Sequence, residues 1–144
     1  MINETQSSYL STTIRLNTQV LYIDQHCSFL NANHSLIEAL AFHCELKLET
    51  VRNILAGTGF KGIDVFKLIS QLSGGEKMQI AMLIAAQKAA EYLLLLDEPD
   101  NHLDLANKQY LAKNRTDFTG SFILVSHDEV FVEQCHVTQQ LSLH

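Results

Sequence analysis

Asp97 and Glu98 close an apolar run, Leu93-Leu94-Leu95-Leu96, and are followed by Pro99, the single proline of the chain. Such a run reads as a buried parallel strand. Ligands of parallel sheets bind outside the carboxyl ends of the strands. Two adjacent acids there are costly unless a cation or a reacting group uses them. One carboxylate suits Mg2+, which prefers hard oxygen ligands and keeps several waters. The other suits proton removal from an attacking water. The plainer reading is a strand end carrying two solvated acids.

Three more groups carry phosphate or metal chemistry. Ser73-Gly74-Gly75-Glu76 opens a helix. A helix N-terminus offers unpaired N–H groups and partial positive charge to a phosphate, and glycines allow close backbone approach. The plainer reading is a capping box, Ser73 with Glu76. His127 follows the apolar run Phe122-Ile123-Leu124-Val125. An imidazole there can hydrogen-bond a phosphate oxygen, although a lone histidine after a strand is more often structural. Gln25 ends the run Val20-Leu21-Tyr22-Ile23-Asp24 and offers a neutral ligand to Mg2+ or to the attacking water.

The pattern predicts the elements that would position these groups. Val20 to Ile23 reads as a strand. Leu36, Ile37, Leu40 and Ala41 share one helical face, and Val51, Ile54 and Leu55 another. Gly57 and Gly59 end the second of these helices. Ile63, Phe66 and Ile69 predict a third, short helix. A helix opens at Ser73 and runs to about Ala90. A buried strand follows over Tyr92 to Leu96, then a helix over Leu105 to Asn114, a second buried strand over Phe122 to Val125, and a helix over Asp128 to Cys135. Met1 to Thr13 reads as a loose start or an edge strand. The alternation after position 72 predicts an α/β sandwich with a parallel sheet.

Composition narrows the class. The 144 residues fit one domain. With 47% hydrophobic and 18% charged residues, the chain buries a core. A net charge of −6 argues against a generic grip on nucleic acid, because phosphate neutralisation needs clustered Lys and Arg. No apolar run approaches a membrane span, and no basic-then-apolar signal pattern opens the chain. Cys27, Cys44 and Cys135 suit a reducing cytosol better than a disulfide framework. A metal site of Cys27 with His26 or His34 is conceivable, but no paired C-x-x-C supports it, and ordinary thiols are the favoured reading.

In conjunction, these motifs resemble an ATP-binding cassette ATPase. Gln25 in Tyr-Ile-Asp-Gln-His is similar to the Q-loop, and Leu72-Ser73-Gly74-Gly75-Glu76-Lys77 to the cassette signature. Leu93 to Glu98 resembles the Walker B strand with its catalytic glutamate. Asn101-His102-Leu103-Asp104 resembles the D-loop, and Ser126-His127-Asp128 the switch histidine. The Tyr-Ile-Asp-Gln-His form, the Glu-Lys after the signature and Asn-His-Leu-Asp resemble the soluble F subfamily more than transporter cassettes. The resemblance covers roughly Val20 to Leu141.

It implies a partial P-loop NTPase-like cassette: a helical subdomain at about 26–74, and a parallel sheet with flanking helices at about 14–25 and 75–144. It implies ATP and Mg2+ as cofactors, with Asp97 and Gln25 at the metal and Glu98 and His127 at the reaction. Ser73, Gly74, Gly75 and Asp104 would lie at nucleotide. It also implies a second cassette as partner, the ribosome through a complete parent protein, and the cytoplasm. In the family, signature and Walker B of one cassette serve different nucleotides.

The chain also departs from the family. No G-x-x-x-x-G-K-[ST] occurs, so the loop that cradles phosphates is missing, as is the aromatic loop that stacks on adenine. Gly57-Thr58-Gly59-Phe60-Lys61-Gly62 has the wrong spacing to replace the phosphate loop. Asp100 stands where the family has Thr; Gln79 and Glu129 stand where Arg is usual. Three functions follow: an ATPase cassette with very weak activity alone, a module donating its signature to a partner cassette, or an inert remnant whose sheet exposes apolar edges.

Overall fold

The computed structural model describes residues 18–141. The expectation for Met1 to Thr13 lies outside them. Strand β1 (Gln19–Asp24) leads through a turn into helices α1 (Leu36–Cys44) and α2 (Leu48–Gly57) and two 3-10 turns (Gly62–Phe66, Ile69–Gln71). Then come α3 (Gly74–Lys88), β2 (Tyr92–Asp97), α4 (Leu105–Asp117), β3 (Phe122–Val125) and α5 (Glu129–Gln134). The result is an α/β fold, a partial P-loop NTPase-like cassette.

Local chemistry sets the helix ends. Ser35 caps α1, with Glu38 reaching back to the Ser35 N–H. Ser73 and Glu76 do the same for α3, at 2.8 and 3.2 Å. A pair of this kind satisfies two orphan donors at once. α3 buries Met78, Ile80, Ala81, Met82, Ile84 and Ala85. They face several directions around the helix, so α3 is central to the core rather than laid on its surface.

The expected third helix forms as the two 3-10 turns instead. Val65 and Ile69 are buried there, while Ile63 and Phe66 are exposed. The cause is competition for backbone donors. The N–H groups of Ile69 and Ser70 bond back to the carbonyls of His34 and Ala32, and Lys67 accepts from Leu36. These bonds tie the approach to Ser73 onto the loop before α1, and the segment cannot also form continuous helical ladders.

The sheet has the order β1-β2-β3, all parallel. Asp24 stands opposite Asp97, and Asp97 opposite Val125. Side chains alternate faces along each strand. One face, with Leu21, Ile23, Leu94, Leu96, Phe122 and Leu124, packs into the core. The other carries Val20, Tyr22, Leu93, Leu95, Ile123 and Val125. There Val20 is 45% exposed, Tyr22 49%, Ile123 48% and Val125 50%. Neither β2 nor β3 is therefore the fully buried strand its composition predicts. Parallel strands become so only when both faces are covered, and among the described residues no element covers the second.

This open face should bind an apolar dye. Placing lysine at both Val20 and Ile123 should cut dye fluorescence by more than half. The unfolding free energy in urea should move by less than about 0.5 kcal/mol per site, as for other exposed positions. Unchanged dye binding in the double variant would contradict the assignment of that face.

Candidate functional site

The carboxyl ends of the three strands deliver the site. β2 ends at Asp97, and Glu98 follows with φ +47°, the left-handed region that L side chains rarely adopt. The N–H of Glu98 donates to the Val125 carbonyl of β3 at 2.8 Å, and its carbonyl accepts from Asn101 at 3.1 Å. Pro99, fully buried, fixes the next residue. A non-glycine residue in this region costs roughly 1–3 kcal/mol and persists where its surroundings over-determine it. Here the hydrogen bonds of the Glu98 N–H to Val125 and of its carbonyl from Asn101 do so.

Four side chains then join. His127 Nε2 lies 2.8 Å from Glu98 Oε1. Asn101 Nδ2 donates to Gln25 Oε1 at 2.5 Å and, more weakly, to Glu98 Oε2 at 3.4 Å. The ends of β1, β2 and β3 are thus linked by Gln25, Asn101, Glu98 and His127. Beside them a cleft of about 290 Å³ is lined by Glu98, Asp100, Asn101, His102, Lys108, His127 and Asp128. His127 is 90% exposed at its side chain, so its ring is open to a ligand.

The frame around this group is charged and bonded. Asp128 caps α5 through the Phe131 N–H and accepts from Lys108 Nζ at 2.8 Å. The Lys108 ammonium holds the Asp128 carboxyl below its ordinary value, and Asp128 in turn raises Lys108. Partial burial opposes ionisation of Asp24, but donors from Ser28 and His26 outweigh it and hold the carboxyl below its usual value. Asp97 Oδ2 accepts from the Tyr22 hydroxyl at 2.6 Å, which pushes the phenol above its ordinary value. Asp100 is buried, with Oδ1 unpartnered among the described residues. An orphaned buried acceptor costs about 1–3 kcal/mol.

Gln25, Glu98 and His127 are therefore linked through Asn101 and the Glu98 carboxylate, while the Asp97 side chain, at the end of the same strand, bonds Tyr22 and does not line the cleft. The other sequence candidates lie elsewhere. Asp104 accepts from the Asn107 N–H at the start of α4 and does not line the cleft. Ser73 and Gly74 sit exposed at the start of α3, and no hydrogen bond links them to the Glu98 group among the described residues. Open space surrounds Gly74, whereas a Cβ at Gly75 would overlap the Asn107 amide of α4. A methyl at Gly75 would therefore require the Asn107 side chain to move. Cys27 lies in the core, where burial pushes its thiol up to about 12, a poor metal ligand or nucleophile.

Two side chains received no individual role from the sequence, Tyr22 and Asn101. Both lie inside the quoted motifs. Only the strand register shows that Tyr22 reaches Asp97 and that Asn101 reaches Gln25.

The donor set fits Mg2+ in a limited sense. Asp97 retains Oδ1, and the Gln25 amide oxygen has a second lone pair beyond the one Asn101 uses. Among the described residues no three His, Cys, Asp or Glu side chains are placed to hold a metal ion together. One or two protein oxygens, with waters and phosphates completing the shell, is the usual manner of Mg2+ binding.

A three-stranded parallel sheet flanked by helices defines a partial P-loop NTPase-like cassette of the α/β kind. The chain is similar to part of an ATP-binding cassette protein of the F type. It is 35% identical over 119 residues to a Bacillus subtilis protein named "Putative ATP-binding protein YdiF", spanning 82% of this chain and 18% of that protein. It is 36% identical over 120 residues to the ATP-binding protein Uup of Buchnera aphidicola, with 80% and 20% covered. It is also 36% identical over 88 residues to ABC transporter F family member 2 of Arabidopsis thaliana, with 61% and 13% covered. The chain thus spans a fifth or less of the length of these relatives. No family model matches it. Among the described residues, no helix is long and apolar enough to cross a membrane.

Gly75→Ala should destabilise the chain by about 1 kcal/mol, the overpacking cost exceeding the gain in helix propensity. Adding Asn107→Ala should recover most of that loss in a urea titration. Additive losses in the double variant would refute the α3–α4 contact as the cause.

Proposed function

We propose that the chain is part of an F-type cassette that binds Mg2+-ATP at its strand ends and, within a complete assembly, hydrolyses it. The observation that carries this reading is the linked set Gln25, Asn101, Glu98 and His127. Asp97 Oδ1 and the Gln25 amide oxygen would hold Mg2+, which supplies neutralisation of phosphate charge when bound. Glu98 accepts the proton of the attacking water as its oxygen bonds to the γ-phosphorus and the bond to the leaving phosphate oxygen breaks. His127 orients the Glu98 carboxylate and presents an exposed imidazole to phosphate oxygens. Gln25, held by Asn101, fixes the water or the cation from the β1 side. Turnover by the chain alone is expected to be very weak, because no G-x-x-x-x-G-K-[ST] loop occurs to cradle the phosphates.

Calorimetric titration of the purified, monodisperse chain with Mg-ATP tests this. Saturable binding, weakened about 10-fold or more by Asp97→Asn as expected for loss of a metal ligand, supports the reading. Absence of saturable binding refutes a nucleotide site in this chain alone.

A second reading is favoured by the exposure of Ser73 and Gly74, which share no hydrogen bond with the Glu98 group among the described residues. They would close over ATP held by a partner cassette, using the N–H groups of α3. The partner is then a second cassette on the same or another chain. Through a complete parent protein the ribosome is the proposed target and the cytoplasm the setting, as the F-type resemblance implies. ATP-dependent association with a full-length F-type cassette protein should occur and be lost in Ser73→Arg. Association insensitive to that change would rule out the signature as the contact.

A further inference from the structure

We propose that Tyr22 is a positioning residue for Asp97, its hydroxyl locking one carboxylate oxygen so that the other is presented to a divalent cation. This rests on the reading of Asp97 as a metal ligand.

The two residues are diagonal neighbours in the sheet. Tyr22 stands opposite Leu95, and Asp97 lies two residues further on the same face. Diagonal pairs of this kind are within reach of an aromatic side chain. The 2.6 Å separation of Tyr22 Oη and Asp97 Oδ2 falls in the short range of charge-assisted O–H···O⁻ bonds. It is not imposed by burial. Tyr22 is half exposed on the open face, where water is available to its hydroxyl.

The neighbouring acids explain why Asp97 in particular needs this support. Asp24, directly opposite, turns its carboxylate into its own loop, accepting from the His26 and Ser28 N–H groups at 3.0 and 2.9 Å. Glu98 is held by His127 and Asn101. The Asp97 carboxylate has no hydrogen bond other than that from Tyr22 among the described residues. Its terminal torsion is broad in the absence of a partner. Remove the hydroxyl and the carboxylate loses its only fixed direction. Ligating carboxylates are commonly held by such outer partners, whose loss lowers metal affinity about 10–100-fold.

The test is amide NMR of the whole chain with Mn2+ alone as the probe, comparing wild type, Tyr22→Phe and Asp97→Asn. Wild type should show paramagnetic broadening centred on Asp97 and Gln25, lost in Asp97→Asn. Tyr22→Phe should need about 10-fold more Mn2+ for the same broadening, with the spectrum unchanged elsewhere. If Asp97→Asn abolishes the broadening and Tyr22→Phe titrates like wild type, the positioning role fails while the metal reading stands. If wild type shows no broadening there, or Asp97→Asn keeps it, the metal reading fails and takes the proposal with it. A weakened Tyr22→Phe response accompanied by shifts across the sheet would assign the hydroxyl a merely structural role and overturn the proposal.

Discussion

The parallel register of β1 on β2 is the constraint on which the site depends. It sets Asp24 opposite Asp97 and so brings Gln25 level with Glu98. A slip of one residue would reverse every side chain of β1 between the two faces. Ile23 would leave the core, and Tyr22 would no longer share a face with Asp97. The hydrophobic face thus enforces the register, and the register aligns the polar ends. Packing energy far from the carboxylates is what holds them in place.

Glu98 shows how the frame concentrates strain where the chemistry would lie. Its φ of +47° turns the chain sharply out of β2. The Val125 carbonyl and the Asn101 N–H, bonded to its own N–H and carbonyl, keep it there. The same turn brings the Asn101 amide back beside the Glu98 side chain. Asp100, between them, is buried with an unpartnered oxygen. Where the family has Thr, this chain carries a carboxylate beside the Lys108 ammonium, with one oxygen lacking a hydrogen bond among the described residues.

The strands and most helices were legible because their signals are local. Val20 to Ile23, Leu93 to Leu96 and Phe122 to Val125 each form strands, and the Ser73–Glu76 capping box opens α3 with both of its bonds in place. Three things were not legible. The segment around Ile63 and Phe66 exchanged helical bonds for contacts with residues 32–36, a non-local competition that no periodicity reveals. The two faces of the sheet have similar composition, so sequence alone could not show that one is open. The partnerships of Tyr22 with Asp97 and Asn101 with Gln25 span about 75 residues and appear only once the register is known.

That separation also bears on how the chain assembles. β1 pairs with β2 across about 70 residues, whereas β2 and β3 are joined across fewer than about 30. Loop-closure entropy rises slowly with length, so the longer closure costs about 1 kcal/mol more. Contacts of high sequence separation also slow folding. Among the described residues β1 lies at an edge of the sheet and shows much of one face to solvent, which makes it a low-stability unit for local opening. Gln25 leaves with it. The carboxylate and imidazole of the site can therefore stay folded while the amide departs, and amide hydrogen exchange along β1 would set the lifetime of the complete constellation.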